Sequence, residues 1–147
     1  ICPGRRDRSR DLHADIANLK KYEVKLLVGS MTLAEMSLLG VDELPKICKE
    51  AGIRYLHLPI VDQGVPREEA MKAAVAEVTA AIERKDKVVI HCLGGLGRSG
   101  TVAASALVQL GFKAKDAINA VREARGPRAV ESKKQEQFVY DFASQTS

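Results

Sequence analysis

The sequence predicts an α/β fold, with a central and mostly parallel sheet flanked by helices. Three observations point there. Short apolar runs alternate with stretches of helical period, as in strands joined by crossover helices. The run "KVVIH" is apolar without alternation, as a strand buried on both faces of a parallel sheet reads. Glycines stand just past the helical stretches, at Gly40, Gly52 and Gly111, where helices are expected to stop.

The elements follow in order. Leu12, Ile16 and Leu19 recur at helical spacing within residues 9–20 and predict a first helix. "KLLVG" (25–29) reads as a short buried strand. "TLAEMSLLG" (32–40) opens with Thr32 and has Glu35 three residues on, the pattern of a capping box. "DELPKICKEAG" (42–52) is a second short helix and "IRYLHLPI" (53–60) a strand. "VDQGVP" (61–66) is a loop. Pro66 is expected to open a long helix with Met71, Val75, Val78 and Ile82 on one face. "KVVIHC" (87–92) is the buried strand, and helices follow at 98–110, 114–125 and 131–143.

Composition narrows the function. Apolar residues make up 46% and charged residues 29%, so one globular domain spanning 1–147 is expected. The chain begins at Ile1 rather than Met, and trimmed upstream residues are expected. No apolar run approaches the ~20 residues of a membrane span, and no signal peptide is visible. The net charge is +4, with Arg5, Arg6, Arg8 and Arg10 close together. A solvated loop is the preferred reading of that cluster, ahead of a surface for acidic partners. Aromatics are only 4% with no Trp, a poor match to nucleic-acid binding. Cys2, Cys48 and Cys92 are too widely spaced for a disulfide framework or a zinc site. The expectation is a monomer without metal or cofactor, in the reducing cytoplasm.

The informative stretch is "IHCLGGLGRSG" (90–100). Cys92 stands where a strand ends, and the next helix begins near Arg98. The intervening Leu93, Gly94, Gly95, Leu96 and Gly97 can curl with their N–H groups inward, because glycine tolerates positive φ. Such a nest at a helix N-terminus binds an oxyanion, phosphate above all. Arg98 can add a planar two-point grip. A cysteine facing that concavity is held as thiolate, below the ordinary thiol pKa of ~8.5. A thiolate in line with a bound phosphoryl group is a nucleophile. A Walker loop would need Lys where Arg98 stands, and "GGLGRSG" does not place glycines in the dinucleotide register.

Cys-x5-Arg-Ser after a strand and a histidine resembles the signature of cysteine-based protein phosphatases, and the compact size looks like the dual-specificity branch. "HCLGGLGRS", "LPIVDQGVP", the opening "CPG" and the closing "RGPRAVESKKQEQFVYDF" resemble the cyclin-dependent kinase-associated phosphatase family. The likeness covers nearly the whole chain and is looser over residues 20–52. It implies that Cys92 is the nucleophile and that Asp62, on a mobile loop with Gly64 for motion, is the general acid. It implies that Ser99 supports the departing thiolate and His91 orients the loop. Gln135 matches a glutamine near the hydrolytic water, whereas Glu131 stands where some relatives have glutamine. The plainer alternatives are a turn aspartate for Asp62, a helix cap for Ser99 and a core histidine for His91. Ser132 is of a type common at helix starts and carries no weight. Cys48 reads as core, and Cys2 as a thiol able to approach the loop and cap the nucleophile on oxidation.

The resemblance implies a metal-independent phosphoprotein phosphatase, with a phosphoprotein substrate and a protein kinase as the candidate partner. One alternative is an inositol phosphate or phosphoinositide phosphatase. That branch often carries lysines inside the loop, where this chain has Leu93 and Leu96. The other is a binding module without turnover, although such modules usually lose the cysteine, arginine or aspartate, and all three are here.

Overall fold

A computed structural model describes residues 2–94 and 96–146. A single 3-10 turn, Arg6–Arg8, leads into α1 (Leu12–Lys21), capped by the Asp11 carboxylate on the His13 N–H. Then come β1 (Val24–Gly29), α2 (Leu33–Leu38), α3 (Leu44–Glu50), β2 (Arg54–His57), α4 (Glu68–Glu83) and β3 (Lys87–His91). The chain closes with α5 (Gly97–Gln109), α6 (Ala114–Arg125) and α7 (Lys133–Thr146). The described strands form one parallel sheet in the order β2-β1-β3.

β1 is the central strand, and its side chains divide the core. Leu26 and Val28 face the large cluster built by α4, α5, α6 and α7. Leu27 faces a second cluster with Cys2, Ile16, Met36, Leu44 and Cys48, from the N-terminal segment and α1–α3. This is strand alternation at work: successive side chains point to opposite faces, and both faces are covered. α5 is buried along most of its length, with Gly97, Arg98, Ser99, Gly100, Thr101, Val102 and Ala104 all inside. Gly100 is required where it stands, since a Cβ there would lie 2.8 Å from the Val130 nitrogen.

Several expected boundaries move. β3 is an edge of the described sheet, and Val88, Val89 and Ile90 are only half-buried rather than enclosed on both faces. The strand expected over 53–60 ends at His57. Pro59 has no N–H for the ladder, yet Leu58 and Ile60 still donate to the carbonyls of Gly29 and Ser30, at 2.8 and 3.1 Å. Pro66 does not open α4; Arg67 takes the cap position. The short helix expected over 42–52 is trimmed to Leu44–Glu50, with Pro45 in its first turn. The last helix begins later and runs further than expected.

Candidate active site

The site gathers where β3 gives way to α5. Cys92 follows the last strand residue and is 3% exposed. Its Sγ lies 3.4 Å from Ser99 Oγ, so one hydroxyl in the first turn of α5 faces the sulfur. A pocket of about 220 Å³ opens above them. Its floor is Cys92, Leu93, Gly94, Leu96, Gly97 and Arg98; Asp62, Gln63 and Glu131 form its rim. Gly95, expected to supply one amide of the cradle, lies outside the described residues.

The loop is tied down from two sides. The Leu93 carbonyl accepts from the Cys2 N–H at 3.2 Å and from Arg5 Nη1 at 3.3 Å. The Leu96 carbonyl accepts from the N–H groups of Gly100 and Val130, at 2.9 and 3.3 Å. Cys2 therefore does stand beside the loop. Burial pushes its thiol up to about 11, as it does for Cys48, so both stay protonated at neutral pH. None of the three cysteines is in a disulfide.

Arg98 is 2% exposed, and its guanidinium is seated by a partner the sequence did not reveal. Nη1 and Nη2 donate to the two carboxylate oxygens of Glu35, at 2.6 and 3.0 Å. Nη1 also donates to the Ile60 carbonyl at 2.9 Å. A guanidinium carries five N–H donors, and these bonds do not exhaust them. Glu35 is itself held by the expected capping box, accepting from the Thr32 N–H and hydroxyl, both at 3.0 Å. Burial works against the Glu35 charge, but Arg98 and Thr32 outweigh it and hold the carboxyl below its ordinary range. The signal for Glu35 was visible as a cap; its partner 63 residues away was not.

Asp62 sits on an exposed turn, its side chain 68% accessible and Oδ1 3.9 Å from Arg98 Nη2. The Gly64 N–H donates to the Val61 carbonyl at 2.8 Å, closing a tight turn with Asp62 and Gln63 at its corners. The positive φ of this turn, 64°, falls on Gln63, and Gly64 serves a close approach, since a Cβ there would lie 2.9 Å from the Val61 oxygen.

His91 is buried, with Nδ1 3.3 Å from the Cys92 carbonyl. A carbonyl only accepts, so this contact puts the hydrogen on Nδ1. Burial lowers the His91 pKa to about 4, and the ring is neutral at physiological pH. The ring brings no positive charge to the thiol. Gln135 is fully buried, and its amide bonds to the backbone on both sides. Its Oε1 accepts from the N–H groups of Glu131 and Ser132, at 2.9 and 3.1 Å, and Nε2 donates to the Gly64 carbonyl at 3.0 Å. Glu131 packs its side chain on Gly97, where an added Cβ would lie 3.0 Å from Oε2. Among the described residues, no three His, Cys, Asp or Glu gather to hold a metal, and no helix is long and apolar enough to cross a membrane.

Known proteins share this fold. The chain is 32% identical over 139 residues to human cyclin-dependent kinase inhibitor 3, covering 93% of this chain and 66% of that protein. The chain thus spans just under two thirds of that relative's length. A crystal structure of kinase associated phosphatase, its catalytic-site cysteine replaced by serine, superposes with a TM-score of 0.92 at 30% identity, over 99% of this chain and 84% of the other. The active form of Tk-PTP gives 0.78 at 28% identity, over 90% and 86%. Residues 6–139 match the phosphatase-domain model described as "PTP-SAK: Swiss Army Knife protein, DSP-PTPase phosphatase domain". With that match over most of its length, the chain belongs to the DSP-PTPase phosphatase-domain family.

Proposed function

We propose that the protein is a metal-independent phosphoprotein phosphatase acting through a cysteinyl-phosphate. One observation carries the reading. Cys92 Sγ faces Ser99 Oγ at 3.4 Å, at the base of a pocket that also holds Arg98 and Asp62. The Cys92 thiolate attacks phosphorus, and the ester P–O bond breaks. Asp62, as the acid, gives its proton to the departing oxygen. Arg98 and the amides of the loop bind the equatorial oxygens as charge develops. Water then attacks the cysteinyl-phosphate, giving its proton to the Asp62 carboxylate. The S–P bond breaks, the Ser99 hydroxyl donates to the departing thiolate, and inorganic phosphate leaves.

The substrate class follows from the walls of the loop. Leu93 and Leu96 bring no charge for the extra phosphates of an inositol ring, which favours phosphotyrosine, phosphoserine or phosphothreonine in a protein. The names of two relatives, cyclin-dependent kinase inhibitor and kinase associated phosphatase, support a phosphorylated protein kinase as the partner. Three cysteines with no disulfide among them suit a reducing cytoplasm. The test is turnover of a panel of phosphopeptides and phosphoinositides, with Cys92→Ser as control. Release of phosphate from phosphopeptides alone, lost in Cys92→Ser, is the expected result. Preference for the phosphoinositides would overturn the substrate class, and turnover surviving in Cys92→Ser would overturn the mechanism.

A further inference from the structure

We propose that Ser132 and Gln135 are positioning residues for acid catalysis, holding the Asp62 turn over the Cys92 pocket before any substrate arrives. The proposal rests on the phosphatase reading above.

The two residues form a capping box at the start of α7. Ser132 Oγ accepts from the Gln135 N–H at 3.1 Å, and Gln135 Oε1 accepts from the Ser132 N–H at 3.1 Å. A capping box uses only the acceptors of its two side chains, and each here has a donor left over. Both donors go to the acid turn. The Ser132 hydroxyl donates to the Gln63 carbonyl at 3.0 Å, and Gln135 Nε2 donates to the Gly64 carbonyl at 3.0 Å. These are the two carbonyls immediately after Asp62.

The same helix start is fastened to the phosphate cradle. Gln135 Oε1 lies against Gly97, where a Cβ would meet it at 3.0 Å. The turn before it bonds through the Val130 N–H to the Leu96 carbonyl at 3.3 Å. Val130 has φ 58°, a conformation a β-branched residue adopts only under constraint. The constraint is Arg122, whose guanidinium donates to the carbonyls of Ala129 and Val130, both at 3.0 Å. On the other side of the clamp, Gln63 is also held at positive φ. Positive φ thus falls on Gln63 within the acid turn and on Val130 two residues before the cap, as expected where surrounding structure over-determines a functional geometry. A surface turn with Asp62 so exposed would otherwise be free to drift.

The test separates the clamp from the cap. Ser132→Ala removes both. Ser132→Asp keeps an acceptor for the Gln135 N–H but has no proton for the Gln63 carbonyl. Ser132→Thr keeps both. The phosphoryl-transfer step, read as kcat/KM, is measured on phenyl phosphate, which needs a protonated leaving oxygen, and on para-nitrophenyl phosphate, which needs it far less. We expect Ser132→Ala and Ser132→Asp to slow phenyl phosphate about three- to tenfold, the weight of one hydrogen bond. Para-nitrophenyl phosphate should change less than about twofold, and Ser132→Thr should match the parent. Equal slowing of both substrates, no slowing of phenyl phosphate, or a loss in Ser132→Ala that Ser132→Asp restores would each overturn the proposal. Turnover persisting in Cys92→Ser would instead overturn the phosphatase reading, and the clamp with it.

Discussion

Glu35 grips Arg98 by two hydrogen bonds, 2.6 and 3.0 Å, from a helix of six residues. The guanidinium is 2% exposed and the carboxylate 24%. A charge so enclosed is costly without a partner, and the partner also fixes the plane of the fork. Glu35→Ala should therefore lower stability by about 1–3 kcal/mol, less than a fully enclosed pair because water reaches the carboxylate. It should also weaken vanadate binding about tenfold or more, since an unseated fork loses its two-point grip. Vanadate inhibition and thermal denaturation check both. Unchanged vanadate affinity would reduce Glu35 to a helix cap.

Cys92→Ser should abolish turnover and keep phosphate binding. A serine hydroxyl stays protonated near neutral pH, while the loop amides and Arg98 remain. Calorimetric titration with phosphate, beside an activity assay, separates the two effects. Activity within tenfold of the parent would rule out the cysteinyl intermediate.

Asp62→Asn should slow phenyl phosphate about 10²–10⁴-fold and an activated aryl phosphate much less in its first step, because a general acid matters as the leaving oxygen needs a proton. Equal slowing of both esters would mean that Asp62 is structural.

Glu131→Gln should tighten oxyanion binding. The carboxylate packs on Gly97 at the pocket rim, within reach of a bound dianion's charge. Removing it should lower the inhibition constant for phosphate or vanadate about two- to tenfold at low salt, and the gain should shrink at high ionic strength. An unchanged constant would turn the Glu131 charge away from the phosphate.

His91 should make the protein acid-sensitive. Burial lowers its pKa from 6.5 to about 4, so the unfolded chain binds a proton there that the folded protein refuses. The stability it withholds is fully present above pH 6.5 and is lost as pH falls toward 4. The loss is about 3 kcal/mol by linkage. Chemical denaturation of the parent and His91→Asn at pH 7 and pH 4 measures it, since the shared carboxylate losses cancel. An equal acid loss in both proteins would place the sensitivity elsewhere.

The placing of Cys92, Ser99 and Arg98 at one pocket was legible because thiol, glycines, arginine and serine follow one another in the sequence. The alternation of strands and helices was legible for the same reason, and so was the capping box of Thr32 and Glu35. The second use of each cap was not. Glu35 reaches Arg98 across 63 residues, Ser132 reaches Gln63 across 69, and Gln135 reaches Gly64 across 71. No period or spacing encodes such pairings, which exist only after the sheet has brought the segments together. Ser132 was set aside for its commonness at helix starts, and that ordinary role supplies the hydroxyl. The half-burial of β3 escaped for a different reason: an apolar run looks alike at the centre of a sheet and at its edge.

The division of the core by β1 has a bearing on how the protein acquires activity. Arg98 is carried by the helices of one cluster, while Glu35 and the Cys2 contact to Leu93 come from the side of the other. Each cluster gathers many contacts between neighbours in sequence, but the catalytic loop is complete only when the two halves have docked across the sheet. Closing such long loops precedes the contacts that reward it, so this docking should come late in folding. Recovered turnover after dilution from denaturant would then lag behind recovered helical signal, and enzymatic assay would report the last step of assembly rather than the first.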